Sequence, residues 1–153
     1  PSQVSVTLAR NEALAHQIFA GADLILMPSR GEPAGLNQLL AQMYGTPPIV
    51  RSVGGLADSV VDATPEHIAD GSATGFVFGA YDSRACELTI RRALHLFHDR
   101  AAWSKLIYST MQTDWSWRRS AGQYLRLYEQ ATERCRASSA NRHIEYSEER
   151  IAV

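Results

Sequence analysis

The chain has 153 residues, 45% of them apolar and 20% charged, with 15 Lys and Arg against 16 Asp and Glu for a formal net charge of -1. That profile suits one soluble globular domain with a continuous core. It excludes a disordered chain and a polybasic binder of nucleic acid or membrane surfaces, since no dominant field would steer a polyanion.

No apolar run reaches the roughly 18-20 residues that a membrane span needs, and Pro1-Ser2-Gln3-Val4-Ser5 lacks the charged and apolar regions of a leader. Cys86 and Cys135 make neither a disulfide framework nor a metal cluster, which suits a reducing compartment. Opening on Pro1 rather than Met, the chain reads as a piece of something longer.

Val4, Val6 and Leu8 alternate with Ser5, Thr7 and Ala9, which predicts a short strand. Asn11 is placed to cap a helix carrying Leu14, Ala15, Ile18 and Phe19 and ending near Gly21. The apolar run Asp23-Leu-Ile-Leu-Met27, closed by Pro28, predicts a strand buried on both faces of a parallel sheet. A loop from Ser29 to Gly35 leads into a helix with Leu36, Leu39, Leu40 and Met43 as its apolar stripe, stopped by Gly45 and Pro47. Pro48-Ile-Val-Arg51 predicts a third strand and Gly54-Gly55 a turn, with Asp58 set to cap a helical pattern beginning at Ser59-Val60-Val61.

Gly75-Phe-Val-Phe78 reads as another short strand. Asp82 or Ser83 then caps a helix with Leu88, Ile90, Ala93, Leu94 and Phe97, ending at His98-Asp99. Trp103, Leu106, Ile107 and Met111 mark a further helix, and Trp117, Ala121, Tyr124, Leu125 and Tyr128 one more. Residues 137-153 form a polar tail without clear period, so residues 1-136 carry the fold. Strand and helix alternate first and helices dominate later. The fold class is α/β, part of a Rossmann-like doubly wound parallel sheet with a helical closing section.

In such sheets ligands bind beyond the carboxyl ends of the strands. The loop from Pro28 to Leu36 lies there and sets Glu32, Ala34, Gly35, Leu36 and Asn37 at the mouth of the helix that runs to Tyr44. Free N-H groups at a helix start bind phosphate, and Gly35 lets the backbone come close. A carboxylate just ahead, at Glu32, is better placed to accept hydrogen bonds from neutral hydroxyls, and a nucleotide-sugar meets both demands. A structural reading competes, because a glutamate near a helix N-terminus also complements the helix dipole.

The blocks Ala22-Asp-Leu-Ile-Leu-Met-Pro-Ser-Arg30, Glu32-Pro-Ala-Gly-Leu-Asn-Gln38, Tyr44-Gly-Thr-Pro-Pro-Ile-Val-Arg51, Gly54-Gly-Leu-Ala-Asp58, Ala73-Thr-Gly-Phe-Val-Phe78, Trp115-Ser-Trp117 and Tyr124-Leu-Arg-Leu-Tyr128 resemble, in order, the bacterial glycogen synthases and related starch synthases. The resemblance covers residues 4-131. It implies a retaining glucosyltransferase of the GT-B type, with two Rossmann-like domains across a cleft. Such an enzyme transfers glucose from ADP-glucose or UDP-glucose to the non-reducing end of an α-1,4-glucan and needs no further cofactor.

This segment matches the C-terminal, donor-binding domain. By similarity Glu32 is the catalytic candidate, holding the donor glucose hydroxyls, while the backbone amides of Ala34, Gly35, Leu36 and Asn37 meet glucose and diphosphate. Arg10 takes the place of an aromatic residue that lies against the base, where a guanidinium plane can also stack. His16, Gly54 and Gly55 are further cleft candidates.

Departures from the pattern are Gly31 in place of a Phe and Ala34 in place of the motif cysteine. Leu40 stands where wider relatives carry a second glutamate, which favours the glycogen and starch synthase branch. The Arg and Lys pair that neutralises the diphosphate belongs upstream, as does the acceptor-binding domain, so this chain alone is expected to be inactive. The runner-up is a degenerate, non-catalytic nucleotide-sugar or interaction module, which Arg10, Gly31 and Ala34 would suit. Bacterial cytoplasm or plastid stroma fits the resemblance.

Other candidates have plainer readings. His16 has a helix-packing reading beside the cleft one. His95 and His98 share a helix face but have no third ligand at metal spacing. Trp103, Trp115 and Trp117 read as core rather than as sugar platforms, and Cys86 as core filler. The arginines from Arg118 to Arg136 read as a solvated helix face.

Overall fold

A computed structural model describes residues 3-151, with side chains as far as residue 136. The chain divides into two compact units, Pro1–Thr113 and Asp114–Val153.

The first unit is built on a parallel sheet in the order β1 (Ile25–Met27), β2 (Pro48–Arg51) and β3 (Phe76–Phe78). Leu26 pairs with Ile49, and Val50 with Val77. Around it run α1 (Glu12–Gly21), α2 (Asn37–Met43), α3 (Gly54–Ser59), α4 (Pro65–Asp70), α5 (Ser83–His98) and α6 (Arg100–Gln112). Because side chains alternate along a strand, the sheet sends Ile49, Phe76 and Phe78 to one face, against Ala93 of α5 and Trp103 and Leu106 of α6. Met27 and Val50 go to the other face, against Leu56 and Val60. Helices therefore cover both faces, and the expected α/β, doubly wound class is what the chain adopts.

Local chemistry sets the boundaries. Asn11 accepts from Leu14 N-H at 3.0 Å to start α1, as expected, and Asp82 accepts from Ala85 N-H at 2.8 Å to start α5. Thr64 followed by Pro65 starts α4, and Gly71 in the left-handed region ends it. Buried Thr46 donates to the carbonyls of Phe19 at 2.5 Å and Ala22 at 3.1 Å, tying the end of α1 to the approach to β2. Asp62 accepts from Val77 N-H at 2.7 Å and from both Nη atoms of Arg92, whose guanidinium also lies 5.6 Å from the centre of the Phe76 ring. That ion pair fixes α5 to β3 and to the segment leading into α4.

Several expectations are corrected. Residues 4-8 form no strand: Val4, Val6 and Leu8 are exposed and pair with nothing among the described residues. Alternation cannot make a strand where no neighbour accepts its ladder hydrogen bonds. Strand β1 is not buried on both faces, since Leu26 is 45% exposed.

Gly54-Gly55 is the first turn of α3 rather than a loop turn. Ser59 ends that helix, so Asp58 lies inside it and caps nothing that follows. The short helix α4 was not anticipated. In α2 the buried face is Gln38, Ala41 and Gln42, not the leucine stripe; Leu36 and Met43 are 70% and 59% exposed. Trp103 is core, as expected, and stacks on Phe76, but Trp117 is 79% exposed.

The second unit carries one long helix, α7 (Trp117–Ile151). The stretch from residue 137 continues that helix, so its lack of apolar period did not mean lack of helix.

Candidate functional site

Parallel strands bring three loops to one edge of the sheet: Pro28 to Leu36 after β1, Ser52-Val53 after β2, and Gly79 to Asp82 after β3. The first is held by donors aimed at its carbonyl oxygens. Arg51, the last residue of β2, donates from Nη1 to the carbonyl of Arg30 at 2.7 Å and more weakly to that of Ser29 at 3.4 Å, with its guanidinium 5.1 Å from the Tyr81 ring centre. The backbone N-H of Gly55 donates to the Glu32 carbonyl at 3.1 Å. Gln38, fully buried, donates from Nε2 to the carbonyls of Ala34 and Gly35, both at 3.0 Å, and to Ser59 Oγ at 3.1 Å. Ser59 Oγ in turn donates to the Gly55 carbonyl at 2.5 Å, and Gln42 Nε2 to the Ser59 carbonyl at 3.0 Å.

The glycines are required by this closeness. Gly54 has φ of 47°, and a β-carbon there would overlap the Glu32 carbonyl oxygen; at Gly55 it would overlap the Ala34 carbonyl oxygen. Gly35 has φ of 70° and lies against the Gln38 amide. A β-carbon on Gly31 would meet nothing within 4 Å, so the loop is open at that point.

Of the residues singled out from the sequence, Glu32, Ala34, Gly35, Gly54 and Gly55 are brought into one cluster. Leu36 and Asn37 follow directly, exposed, at the start of α2; Glu32 is half-buried. Arg10 is exposed ahead of α1. His16 turns elsewhere: its Nδ1 lies 3.0 Å from the Tyr44 hydroxyl and its ring packs edge-on against Tyr44 and Phe19. Tyr44 is at the far end of α2, about 10 Å along the helix from Asn37.

Gln38, Ser59 and Arg51 were missed. For Gln38 the signal was polar residues at a buried helical spacing, Gln38 and Gln42 on either side of Ala41, which a search for leucines passes over; Ser59 on α3 and Arg51 on β2 carry no such local signal.

A cavity of about 320 Å³ opens at the same edge, lined by Pro28, Phe78, Tyr81, Asp82, Ser83 and Cys86. Among the described residues no three His, Cys, Asp or Glu side chains are grouped to hold a metal ion, and no helix is long and apolar enough to cross a membrane.

The sequence model of the family described as "Glycosyl transferases group 1" matches residues 1-109. The chain is 54% identical over 128 residues to glycogen synthase of Hydrogenovibrio crunogenus, covering 84% of this chain and 26% of that protein. It is 50% identical over 131 residues to glycogen synthase 1 of Methylococcus capsulatus, covering 86% and 27%. The chain thus spans about a quarter of the length of the curated relatives it matches.

Among solved structures, the catalytic domain of starch synthase IV from Arabidopsis thaliana, bound to ADP and acarbose, superimposes with a TM-score of 0.72 at 38% identity. The match covers 82% of this chain and 26% of that one. The sheet and its flanking helices accordingly have the GT-B glycosyltransferase fold. With its family model matched over most of its length and its sheet superimposing on a starch synthase catalytic domain, the chain belongs to the group 1 glycosyl transferases, in their glycogen and starch synthase-like branch.

Proposed function

We propose that the chain supplies the donor half of the cleft in a retaining glucosyltransferase. The enzyme would transfer glucose from ADP-glucose or UDP-glucose to the non-reducing end of an α-1,4-glucan. The observation that carries this reading is the β1 loop with the carbonyls of Arg30, Glu32, Ala34 and Gly35 all engaged by donors. In a trans peptide the N-H of the next residue points opposite to the carbonyl, so the engaged carbonyls of Arg30, Ala34 and Gly35 set the amides of Gly31, Gly35 and Leu36, while the Glu32 peptide leads into Pro33, which has no N-H.

In this scheme Glu32 accepts hydrogen bonds from the donor glucose hydroxyls. The amides from Ala34 to Asn37 meet the sugar and the diphosphate, and Arg10 lies against the base. Residues 1-136 are the working segment and 137-153 an appended tail. The glucan is held by the domain that precedes this segment in the relatives, in bacterial cytoplasm or plastid stroma.

The leaving diphosphate gains negative charge in the transition state, and the cations that stabilise it in the family pattern lie upstream. Without them the barrier rises by an amount on the order of several kcal/mol, hundreds-fold or more in rate, so the isolated chain is inactive.

The test is a chimera in which this chain replaces the matching quarter of the Hydrogenovibrio protein. It should incorporate glucose from ADP-glucose or UDP-glucose into glycogen, while the isolated chain should not. Glu32→Ala in the chimera should lower turnover at least about 100-fold; unchanged turnover removes Glu32 from the mechanism. Donor binding without turnover by an otherwise folded chimera would favour the second reading, a non-catalytic module, which the open space at Gly31 supports.

A further inference from the structure

Gln38 is fully buried in the first turn of α2, with three acceptors around its Nε2 and, among the described residues, no hydrogen-bond partner at its Oε1, so it is the donor side of this buried amide that ties it to its surroundings. The two hydrogens on Nε2 are shared among three acceptors: the carbonyls of Ala34 and Gly35 in the β1 loop, and Ser59 Oγ at the end of α3. Ser59 passes the constraint on to the Gly55 carbonyl, and the Gly55 N-H returns it to the Glu32 carbonyl. The circuit runs from the loop through α2 and α3 and back to the loop. Both its ends lie within residues 32-35, on either side of Pro33. Gln42 steadies it from the next turn of α2 by donating to the Ser59 carbonyl.

We infer that Gln38 is a positioning residue for the donor site. By holding the carbonyls of Ala34 and Gly35 on the protein side, it turns the following amides, those of Gly35 and Leu36, toward the sugar and diphosphate. Ser59 relays the same constraint to the backbone of Glu32. Gln38 touches no substrate; it acts through the peptide planes of Ala34 and Gly35. This inference rests on the proposed donor role of the loop, and it adds which buried side chain sets the loop's geometry.

Two measurements test it and separate it from that role. The first uses this chain and needs no activity. Arg30 is exposed in the loop, so trypsin cleavage after Arg30 reports how often the loop leaves its seat. Gln38→Met keeps the volume and removes the donors. It should speed that cleavage at least about tenfold, whereas Thr110→Val, an equally buried change on α6, should not. Cleavage unchanged in Gln38→Met overturns the brace.

The second uses the chimera described above. Gln38→Met should lower kcat/KM for the nucleotide-sugar roughly 10- to 100-fold with KM for glycogen unchanged. Gln38→Glu should be similarly impaired at neutral pH and regain activity relative to the parent as pH falls, because a protonated carboxyl again offers one hydrogen to the loop carbonyls. Faster cleavage with parental donor kinetics overturns the positioning role. A parent chimera silent with both nucleotide-sugars overturns the donor-site reading itself and the catalytic part of this inference with it, while the cleavage rates still decide whether Gln38 holds the loop.

Discussion

Gly55 packs against the carbonyl oxygen of Ala34 with no space for a β-carbon between them, while its own N-H binds the Glu32 carbonyl at 3.1 Å. The β1 loop and the start of α3 are therefore fitted backbone to backbone. Gly55→Ala must push them apart and should destabilise the fold by about 1-3 kcal/mol. Gly54→Ala adds the cost of a left-handed residue, about 1-2 kcal/mol, to a similar clash. Gly31→Ala and Gly79→Ala, where a β-carbon meets open space, should stay within about 0.5 kcal/mol of the parent. Urea unfolding of the four variants checks the ranking; equal stability of Gly55→Ala and Gly31→Ala would deny the close fit.

Which parts of this were legible beforehand follows from range. Asn11 and Asp82 announce α1 and α5 because a cap acts over three residues, and β2 and β3 announce themselves as short apolar runs between turn residues. Glu32 and Gly35 were visible through the motif they sit in. Strand pairing is not local, so Val4, Val6 and Leu8 carried a strand pattern with no partner to realise it. Nor is the direction of a short helix: α2 has leucines enough to suggest one buried face, yet it buries the face with two glutamines, because those amides have carbonyls to bind on the loop and on α3. The polar brace was hidden for that reason. Its partners lie up to 21 residues apart and two of them are backbone atoms that no side-chain pattern records.

The Asp62–Arg92 pair joins α5 to the sheet through both carboxylate oxygens, and Asp62 also accepts the Val77 N-H. Arg92 is 40% exposed and Asp62 26%, so solvent screens the pair and the geometry counts for more than the charge. Asp62→Ala should cost about 1-3 kcal/mol, chiefly because the Val77 amide loses its acceptor. Arg92→Met, which keeps the stem over Phe76, should cost less, about 1 kcal/mol. Denaturant midpoints at low and high salt check both: a large salt dependence in the parent alone would assign the stabilisation to charge instead.

Asp70 closes α4 by accepting hydrogen bonds from Ser72, side chain first and then its N-H at 2.9 Å, and these hold its carboxyl below the usual aspartate value. A depressed folded-state pKa stabilises the fold above the unfolded pKa, and that contribution is lost as pH falls through the folded value. Acid should thus loosen the α4 to β3 turn only below the ordinary aspartate range. Ser72→Ala should bring the Asp70 titration back up toward its ordinary value, as followed by carboxyl NMR shifts. An unmoved titration in Ser72→Ala would mean that the Ser72 side chain is not its cause, since the backbone N-H at position 72 remains in the variant.

Arg51 seats the upstream part of the loop as Gln38 seats the downstream part, and it does so with a planar group that meets the Arg30 and Ser29 carbonyls on one side and the Tyr81 ring on the other. A lysine at this position offers a point charge on a flexible stem, which cannot lie flat on the ring and reach the carbonyls together. Arg51→Lys and Arg51→Met should therefore both raise amide hydrogen exchange over residues 29-32, by about tenfold or more, with exchange in α5 and α6 unchanged. Tyr81→Leu, which removes only the ring, should raise it by less, because the bond to the Arg30 carbonyl remains. Were Arg51→Lys to exchange at the parental rate, charge alone would suffice and the planar contact with Tyr81 would carry no part of the loop's order.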